Sequence, residues 1–230
     1  MSRAFSAAFS ASLFCLLLLG ASIARAQDLD RPVLLVATPD LQGPYAHTAL
    51  IVVPLGDKHF GFILNRATKL TLAKLYPEHA PSAKVVDPVY AGGPEVPNAL
   101  FAVTRRDPGE PSMPFFGSLY VTGHAGVIDR IIEETPNEAR YFAGFVGWLP
   151  EELAAEIEAG YWYVAEADES LVFRADPSSL WEELVGRLGG AAHAQLHMMR
   201  GQGGRMRATV RAAGFQVVNA GSLVPPKAVP

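Results

Sequence analysis

Residues 144–153 read Gly-Phe-Val-Gly-Trp-Leu-Pro-Glu-Glu-Leu, and this stretch decides the fold class. The apolar run that leads into it, residues 141–146, is typical of a buried strand. Pro150, two glutamates directly after it and Gly160 predict a helix over residues 150–159. A strand that passes straight into a helix, among other short strands and single helices, indicates α+β architecture.

The other elements follow from apolar runs bounded by turn residues. Strands are predicted at residues 32–39, 48–54, 60–65, 89–90, 100–104, 119–121, 140–146, 162–165 and 171–173. The second and third of these form a hairpin, and so do the last two. Helices are predicted at residues 70–76, at 125–134, and from Asp176-Pro177 to Leu188, where Gly189-Gly190 ends the last helix.

The first 26 residues differ from the rest of the chain. Arg3 precedes a short apolar core at residues 13–20, and Ala24-Arg25-Ala26 is a small-x-small cleavage site. The apolar core is shorter than the roughly 18–20 residues that spanning a membrane needs. We therefore predict a signal peptide, cleaved after Ala26, and a periplasmic or secreted protein. An uncleaved N-terminal anchor is the alternative.

Cysteine usage and charge narrow the possible functions. The one cysteine, Cys15, lies in the signal segment, so the mature chain has no thiol nucleophile, disulfide or cysteine metal site.

No acidic residue follows Glu183. The basic residues after it are Arg187, Arg200, Arg205, Arg207, Arg211 and Lys227. An acidic body with a basic tail indicates either docking of the tail on the body or contact with an anionic partner.

These features divide the chain into three parts: a signal peptide at residues 1–26, a domain at 27–190 and a basic C-terminal extension at 191–230. The extension is rich in Gly, Ala and Arg. Through it the protein could contact a membrane surface or another anionic partner.

Several motifs in a fixed order identify a family. They are Leu35-Val36-Ala37-Thr38-Pro39, Gly61-Phe62-Ile63-Leu64-Asn65-Arg66, Tyr90-Ala91-Gly92-Gly93-Pro94, Gly144-Phe145-Val146-Gly147-Trp148, and the tryptophans Trp162 and Trp181. With them, residues 34–187 resemble the YqgE/AlgH family (UPF0301, DUF179). The resemblance implies a single α+β domain whose strongly bent, barrel-like sheet is surrounded by helices. It implies little biochemistry, although some members carry a transcriptional-regulator label.

Two motifs are candidate binding positions. Asn65 and Arg66 end a core strand, and Arg66 could hold a carboxylate or phosphate in bidentate fashion. Alternatively, Asn65 caps the turn and Arg66 pairs with a local acid. Gly92 and Gly93 could present backbone N–H groups to an anion, or they form a tight turn.

A third motif is interpreted as structural. We expect Trp148 to pack its indole against the sheet beneath the following helix, with Gly144 and Gly147 allowing close approach. Stacking of Trp148 on a ligand is the alternative.

No residue pattern predicts catalysis, a cofactor or a metal. There is no nucleophile elbow, and adjacent glutamate pairs on helices point in different directions. His193 and His197 could face one way on a helix, but two ligands do not make a metal site.

The sequence therefore predicts an exported, non-enzymatic domain that binds an unknown protein or anionic partner, or acts as a scaffold. Two alternatives stay open. One is a small-molecule or anion-binding protein, or an unrecognised hydrolase, with a site near Asn65 and Arg66. The other is a regulator-type family member if the signal peptide is not used. An exported chain would contact no nucleic acid.

Overall fold

The computed structural model describes residues 28–200, and the side-chain environment as far as Gly190. Its strands are β1 (Val33–Ala37), β2 (Ala49–Leu55), β3 (Lys58–Ile63), β4 (Tyr90–Ala91), β5 (Glu95–Thr104), β6 (Met113–Pro114), β7 (Tyr120–Thr122), β8 (Ala139–Trp148) and β9 (Trp162–Glu166). Its α-helices are α1 (Leu72–Leu75), α2 (Ala125–Glu134), α3 (Glu152–Glu158), α4 (Glu169–Val172) and α5 (Leu180–Arg200). Short 3₁₀ turns lie at Gly43–Tyr45 and Ala80–Lys84.

All nine of these strands belong to one sheet. Its order is β6-β7-β5-β8-β3-β2-β1-β9, and β4 lies parallel beside β8. The other pairs are antiparallel. The sheet curls into a half-barrel. It stays open because the edge strands β6 and β9 do not pair with each other. The predicted fold class, a single α+β domain with a strongly bent sheet and surrounding helices, is confirmed.

Helices cover both faces of the sheet. Successive side chains of a strand point to opposite faces, and β1 is buried on both. Leu34 and Val36 belong to the core that contains Leu184 of α5, whereas Leu35 belongs to the core that contains Leu153 of α3. A strand buried on both faces has no polar alternation, which is why β1 is a continuous apolar run.

Helix α2 covers one face of the β5–β8 half of the sheet. Its four buried residues pack in one core with Ala102 of β5 and Tyr141 of β8; they are Val127, Ile128, Ile131 and Ile132. The helix occupies residues 125–134, as the helical spacing of these residues predicts.

Strand β8 is the centre of the sheet, because it pairs with β3, β4 and β5. Gly144 lies in it with a φ of 69°, where the register with β5 shifts between Glu95 and Leu100. A Cβ at Gly144 would collide with the carbonyl oxygens of Gly93 and Glu95. Only glycine fits here, both for its backbone conformation and for the space that is left.

Three local predictions are wrong. Helix α3 begins at Glu152, not at Pro150, because Glu151 has a φ of 67° and the Leu149 N–H donates to the Glu152 carboxylate. Residues 171–173 form no hairpin strand. Leu171 and Val172 lie in α4, whose first turn is capped by the Asp168 carboxylate, and Phe173 follows it. Strand β9, the other half of the predicted hairpin, pairs with β1.

The third correction concerns the last helix, which begins at Leu180 and continues through Gly189 and Gly190 to Arg200. A glycine ends a helix by adopting a positive φ, and neither of these two does so. The predicted signal segment, and the extension beyond residue 200, lie outside the described residues. Among residues 28–200, no helix has the length and apolar character needed to cross a membrane.

Candidate functional site

Both polar atoms of the Asn65 side chain make hydrogen bonds within the fold. Its side-chain oxygen accepts a hydrogen bond from the Ala49 N–H at 3.0 Å, and its amide nitrogen donates to the His47 carbonyl at 2.9 Å. These bonds fix the loop before β2 against the end of β3. The side chain therefore stabilises the turn and offers little to a ligand.

Arg66 is half-buried, and one of its terminal nitrogens donates to the Ala46 carbonyl at 3.2 Å. Within the part of the chain that the structure describes, Arg66 forms no ion pair, so the local acid partner considered above is not found. Burial lowers the pKa of Arg66. Since a guanidinium carries five N–H donors, most of its donors are available to another group.

Tyr45 lies close enough to Arg66 that each group affects the pKa of the other. Burial, and then the nearby carboxylates of Glu156 and Glu95, raise the pKa of Tyr45 to about 12, while Arg66 acts in the opposite direction. At neutral pH the phenol is therefore uncharged, and Arg66 supplies the positive charge of this region.

Gly92 and Gly93 lie against β8 and do not form an open anion cradle. The Gly92 N–H donates to the Ala143 carbonyl at 2.8 Å, and the Gly92 carbonyl accepts from Ile63 at 2.9 Å. A Cβ at Gly93 would overlap the backbone of Phe145. The structure thus places these glycines where two backbones approach closely. The Ala91 N–H donates to the Arg66 carbonyl at 2.9 Å, so the two motifs are neighbours.

Trp148 is buried between the sheet and α3, with 5% of its surface exposed. Its indole N–H donates to one carboxylate oxygen of Glu156 at 2.9 Å, and the indole N–H of Trp162 donates to the same oxygen at 2.8 Å. The two rings are 6.5 Å apart and nearly perpendicular. Glu156 therefore joins α3 to both β8 and β9.

The structure leaves no tryptophan free to stack on a ligand. The chain has three, and the third, Trp181, donates its indole N–H to the Ala37 carbonyl at 2.8 Å and lies against His47 at 4.1 Å between ring centres. Gly147 is exposed beside Trp148, and Phe145 is the nearest side chain to it.

Arg140 is a buried charge that the sequence did not single out as functional. Only 1% of it is exposed, and it donates to the Asp87 carboxylate and to the Arg174 carbonyl, each at 3.0 Å. Its guanidinium also lies 4.4 Å from the centre of the Tyr90 ring. These contacts tie the start of β8 to two loops.

An apolar groove of about 410 Å³ lies beside the β6 edge of the sheet. Its apolar walls include Leu55, Phe60, Phe101, Met113, Val121 and Phe145. Leu55 is 50% exposed and Met113 37% exposed, which is unusual for large apolar side chains. No sequence motif indicated this groove, because its residues come from six separate strands.

The sequence matches known proteins of one family. The family described as AlgH-like matches residues 34–193. A UPF0301 protein of Thermobifida fusca is 31% identical over 170 residues, which cover 68% of this chain and 86% of the relative. A UPF0301 protein of Streptomyces avermitilis is also 31% identical, over 67% of this chain and 84% of the relative.

Solved structures show the same fold. The solution structure of the AlgH protein from Pseudomonas aeruginosa superposes with a TM-score of 0.59 at 24% identity, covering 77% of this chain and 96% of that one. A crystal structure from Corynebacterium diphtheriae gives a TM-score of 0.55 at 24% identity, covering 67% and 85%. The motif order, the half-barrel and these matches lead to one conclusion: the chain belongs to the AlgH-like (UPF0301) family.

Proposed function

We propose that this protein is an exported, non-catalytic binding domain that receives apolar side chains of a protein partner in the groove beside β6. The observation that carries the proposal is the exposure of Leu55 and Met113 at the rim of one apolar cavity. Contiguous exposed apolar surface on a folded domain commonly marks an interaction site.

The floor of the groove is suited to such a partner. Phe60, Phe101 and Phe145 form a contiguous aromatic cluster, with ring centres 6.4 Å apart for Phe60 and Phe145 and 5.6 Å apart for Phe101 and Phe145. Rigid aromatic pockets of this kind hold the anchoring side chains of protein interfaces at low entropic cost.

The edge strand indicates how a partner would bind. Strand β6 has two residues, and Pro114 has no N–H to donate to an added strand. A partner would therefore be held through side chains in the groove, and not through extension of the sheet at this edge.

The test compares capture by three single variants of the mature chain. Leu55→Glu and Met113→Glu place a charge at the groove rim, whereas Val86→Glu makes the same change at a position that is 77% exposed and outside the groove. We expect the wild type and Val86→Glu to capture the same periplasmic protein and both rim variants to lose it. Equal capture by all four proteins would refute the proposal.

Export is tested separately, because it rests on residues 1–26 alone. N-terminal sequencing of the protein from a cell fractionation should return Gln27 in the periplasmic or secreted fraction. Recovery of a chain that begins at Met1 in the cytosol would contradict export and leave the groove experiment unaffected.

Anion binding at Arg66 is the second candidate, favoured by the half-buried guanidinium that has no carboxylate partner among the described residues. Phosphate or a small carboxylate should bind the wild type more tightly than Arg66→Lys, because a lysine cannot make the bidentate contact. Identical binding by both proteins would exclude this site.

A further inference from the structure

Three potential metal ligands meet on the outer side of α2. They are His79, Asp129 and Glu133, and their donor atoms all lie within 4.8 Å of one another. Asp129 and Glu133 are four residues apart on the helix and therefore share one face. His79 reaches them from the residue before the Ala80–Lys84 turn.

The Nε2 atom of His79 faces both carboxylates. It lies 3.2 Å from Oδ1 of Asp129 and 3.9 Å from Oε1 of Glu133. The atom is shielded from solvent, yet no hydrogen bond is aligned on it. A buried nitrogen without a hydrogen bond is costly unless another group satisfies it.

These separations suit a shared metal ion. Zn²⁺ binds histidine nitrogen and carboxylate oxygen at about 2.0–2.2 Å, so the donors of a tetrahedral site lie roughly 3.3 Å apart. The distance from Nε2 to Asp129 is close to that value, and a small rotation of the exposed Glu133 side chain would bring it to the same separation. Asp129 is 59% and Glu133 56% exposed, so solvent can fill the remaining position.

The second nitrogen of His79 is held in place. Nδ1 lies 2.9 Å from Oγ of Ser82, which is fully buried. Metal-binding histidines are commonly fixed in this way, by a hydrogen bond to the nitrogen that does not bind the metal. Ser82 is therefore a positioning residue for the ring.

The same residues do not form a usable serine nucleophile. Ser82, His79 and Asp129 stand in the order of a nucleophile, a base and a carboxylate, but no substrate can reach a fully buried Ser82. In addition, neither Asp129 nor Glu133 pairs with a lysine or arginine within the described residues. Two carboxylates therefore face one imidazole nitrogen with no lysine or arginine paired to them, and this donor set suits a cation.

We propose that His79, Asp129 and Glu133 form a surface site for a divalent transition metal of the Zn²⁺ class, with water or another ligand at the open position. A bound ion joins α2 to the Ala80–Lys84 turn, so it raises the melting temperature of the domain.

The experiment titrates Zn²⁺ into the full mature chain after chelator treatment and measures stoichiometry, affinity and melting temperature. We expect one ion per chain from this cluster and a higher melting temperature. His79→Ala and Asp129→Asn should lose this binding, and Ser82→Ala should weaken it by roughly 10–100-fold. Asp129 is exposed, so its variant folds even if His79→Ala does not.

Two controls separate this site from other Zn²⁺ binding. Glu134→Gln changes the carboxylate next to Glu133 and outside the cluster, and a His193→Ala/His197→Ala double variant removes the other closely spaced histidines. Both should bind Zn²⁺ as the wild type does. The proposal is overturned if the wild type does not bind, if Asp129→Asn binds unchanged, or if only the double variant loses the ion.

Discussion

Replacement of Glu156 by alanine tests whether one carboxylate holds three elements together. In the folded chain a single oxygen of Glu156 accepts the indole N–H groups of Trp148 and Trp162. Trp148 and Trp162 are each 5% exposed, so their indole N–H groups have little access to water when the acceptor is removed.

The expected cost follows from these two bonds. A buried donor left without an acceptor costs about 1–3 kcal/mol. Glu156→Ala leaves two such donors and should lower the free energy of unfolding by about 2–6 kcal/mol. Glu156→Gln keeps an acceptor oxygen and should cost less, because only the charge of the acceptor is lost.

The measurement is urea unfolding followed by circular dichroism and by tryptophan fluorescence. Glu158→Ala is the matched control, since Glu158 lies in the same helix, is exposed and makes no side-chain hydrogen bond among the described residues. It should shift stability by less than about 0.5 kcal/mol, as surface substitutions do. An equal loss in Glu156→Ala and Glu158→Ala would refute the reasoning.

Three further predictions concern charge, pH and chain length. The pKa of Tyr45 is raised to about 12 in the folded chain, so the contribution of Tyr45 to stability should be fully present below pH 10 and be lost between pH 10 and 12. The alkaline loss of stability should be less steep in Tyr45→Phe, and identical alkaline profiles for both proteins would contradict the assignment. Asp87→Ala leaves the buried guanidinium of Arg140 without its carboxylate and should lower the free energy of unfolding by about 3–5 kcal/mol. Glu138→Ala breaks the surface pair with Arg106 and should lower it by about 0–1 kcal/mol. Similar losses for the two variants in urea unfolding would be inconsistent with this difference. A chain truncated after Gly190 should remain folded and lose salt-sensitive binding to anionic lipid vesicles. Aggregation of the truncated chain would instead indicate that the basic segment docks on the acidic body.

Much of the fold could be predicted because its signals are local. The hairpin of β2 and β3 and helix α2 follow from turn residues and from apolar periodicity, and both are confirmed. The structure also explains why the family motifs contain glycine. Gly92, Gly93 and Gly144 lie where the backbone of β8 meets the chain around β4 and β5, and a side chain at any of them would collide with backbone atoms.

The errors arose where a local signal is overridden by its neighbours. Gly189 and Gly190 are helix breakers in isolation, yet α5 continues through them. Pro150 has the character of a first helical residue, but Glu151 has a positive φ and the Glu152 carboxylate accepts from the Leu149 N–H, so the helix begins only at Glu152. The predicted strand at residues 171–173 is replaced by a short helix, because the Asp168 side chain caps α4 just before it.

The candidate sites could not be predicted from sequence for a different reason. The groove takes residues from Leu55 to Phe145, and the proposed metal site joins His79 to a helix far along the chain. Strand order brings the groove residues together, and packing of α2 against the Ala80–Lys84 turn brings the metal ligands together. Glu156 is a similar case, because nothing in the spacing of α3 indicates that two tryptophans from different strands share its carboxylate.

The pairing of β1 has a consequence for how the domain folds. One neighbour of β1, β2, follows it almost at once, whereas the other, β9, is near the opposite end of the domain. Contacts that close long loops form slowly. Until β9 has been synthesised, β1 presents an open edge with apolar side chains on both faces, which is a template for aggregation. In a nascent chain this edge of β1 is therefore closed only after residues 162–166 have emerged and can pair with it.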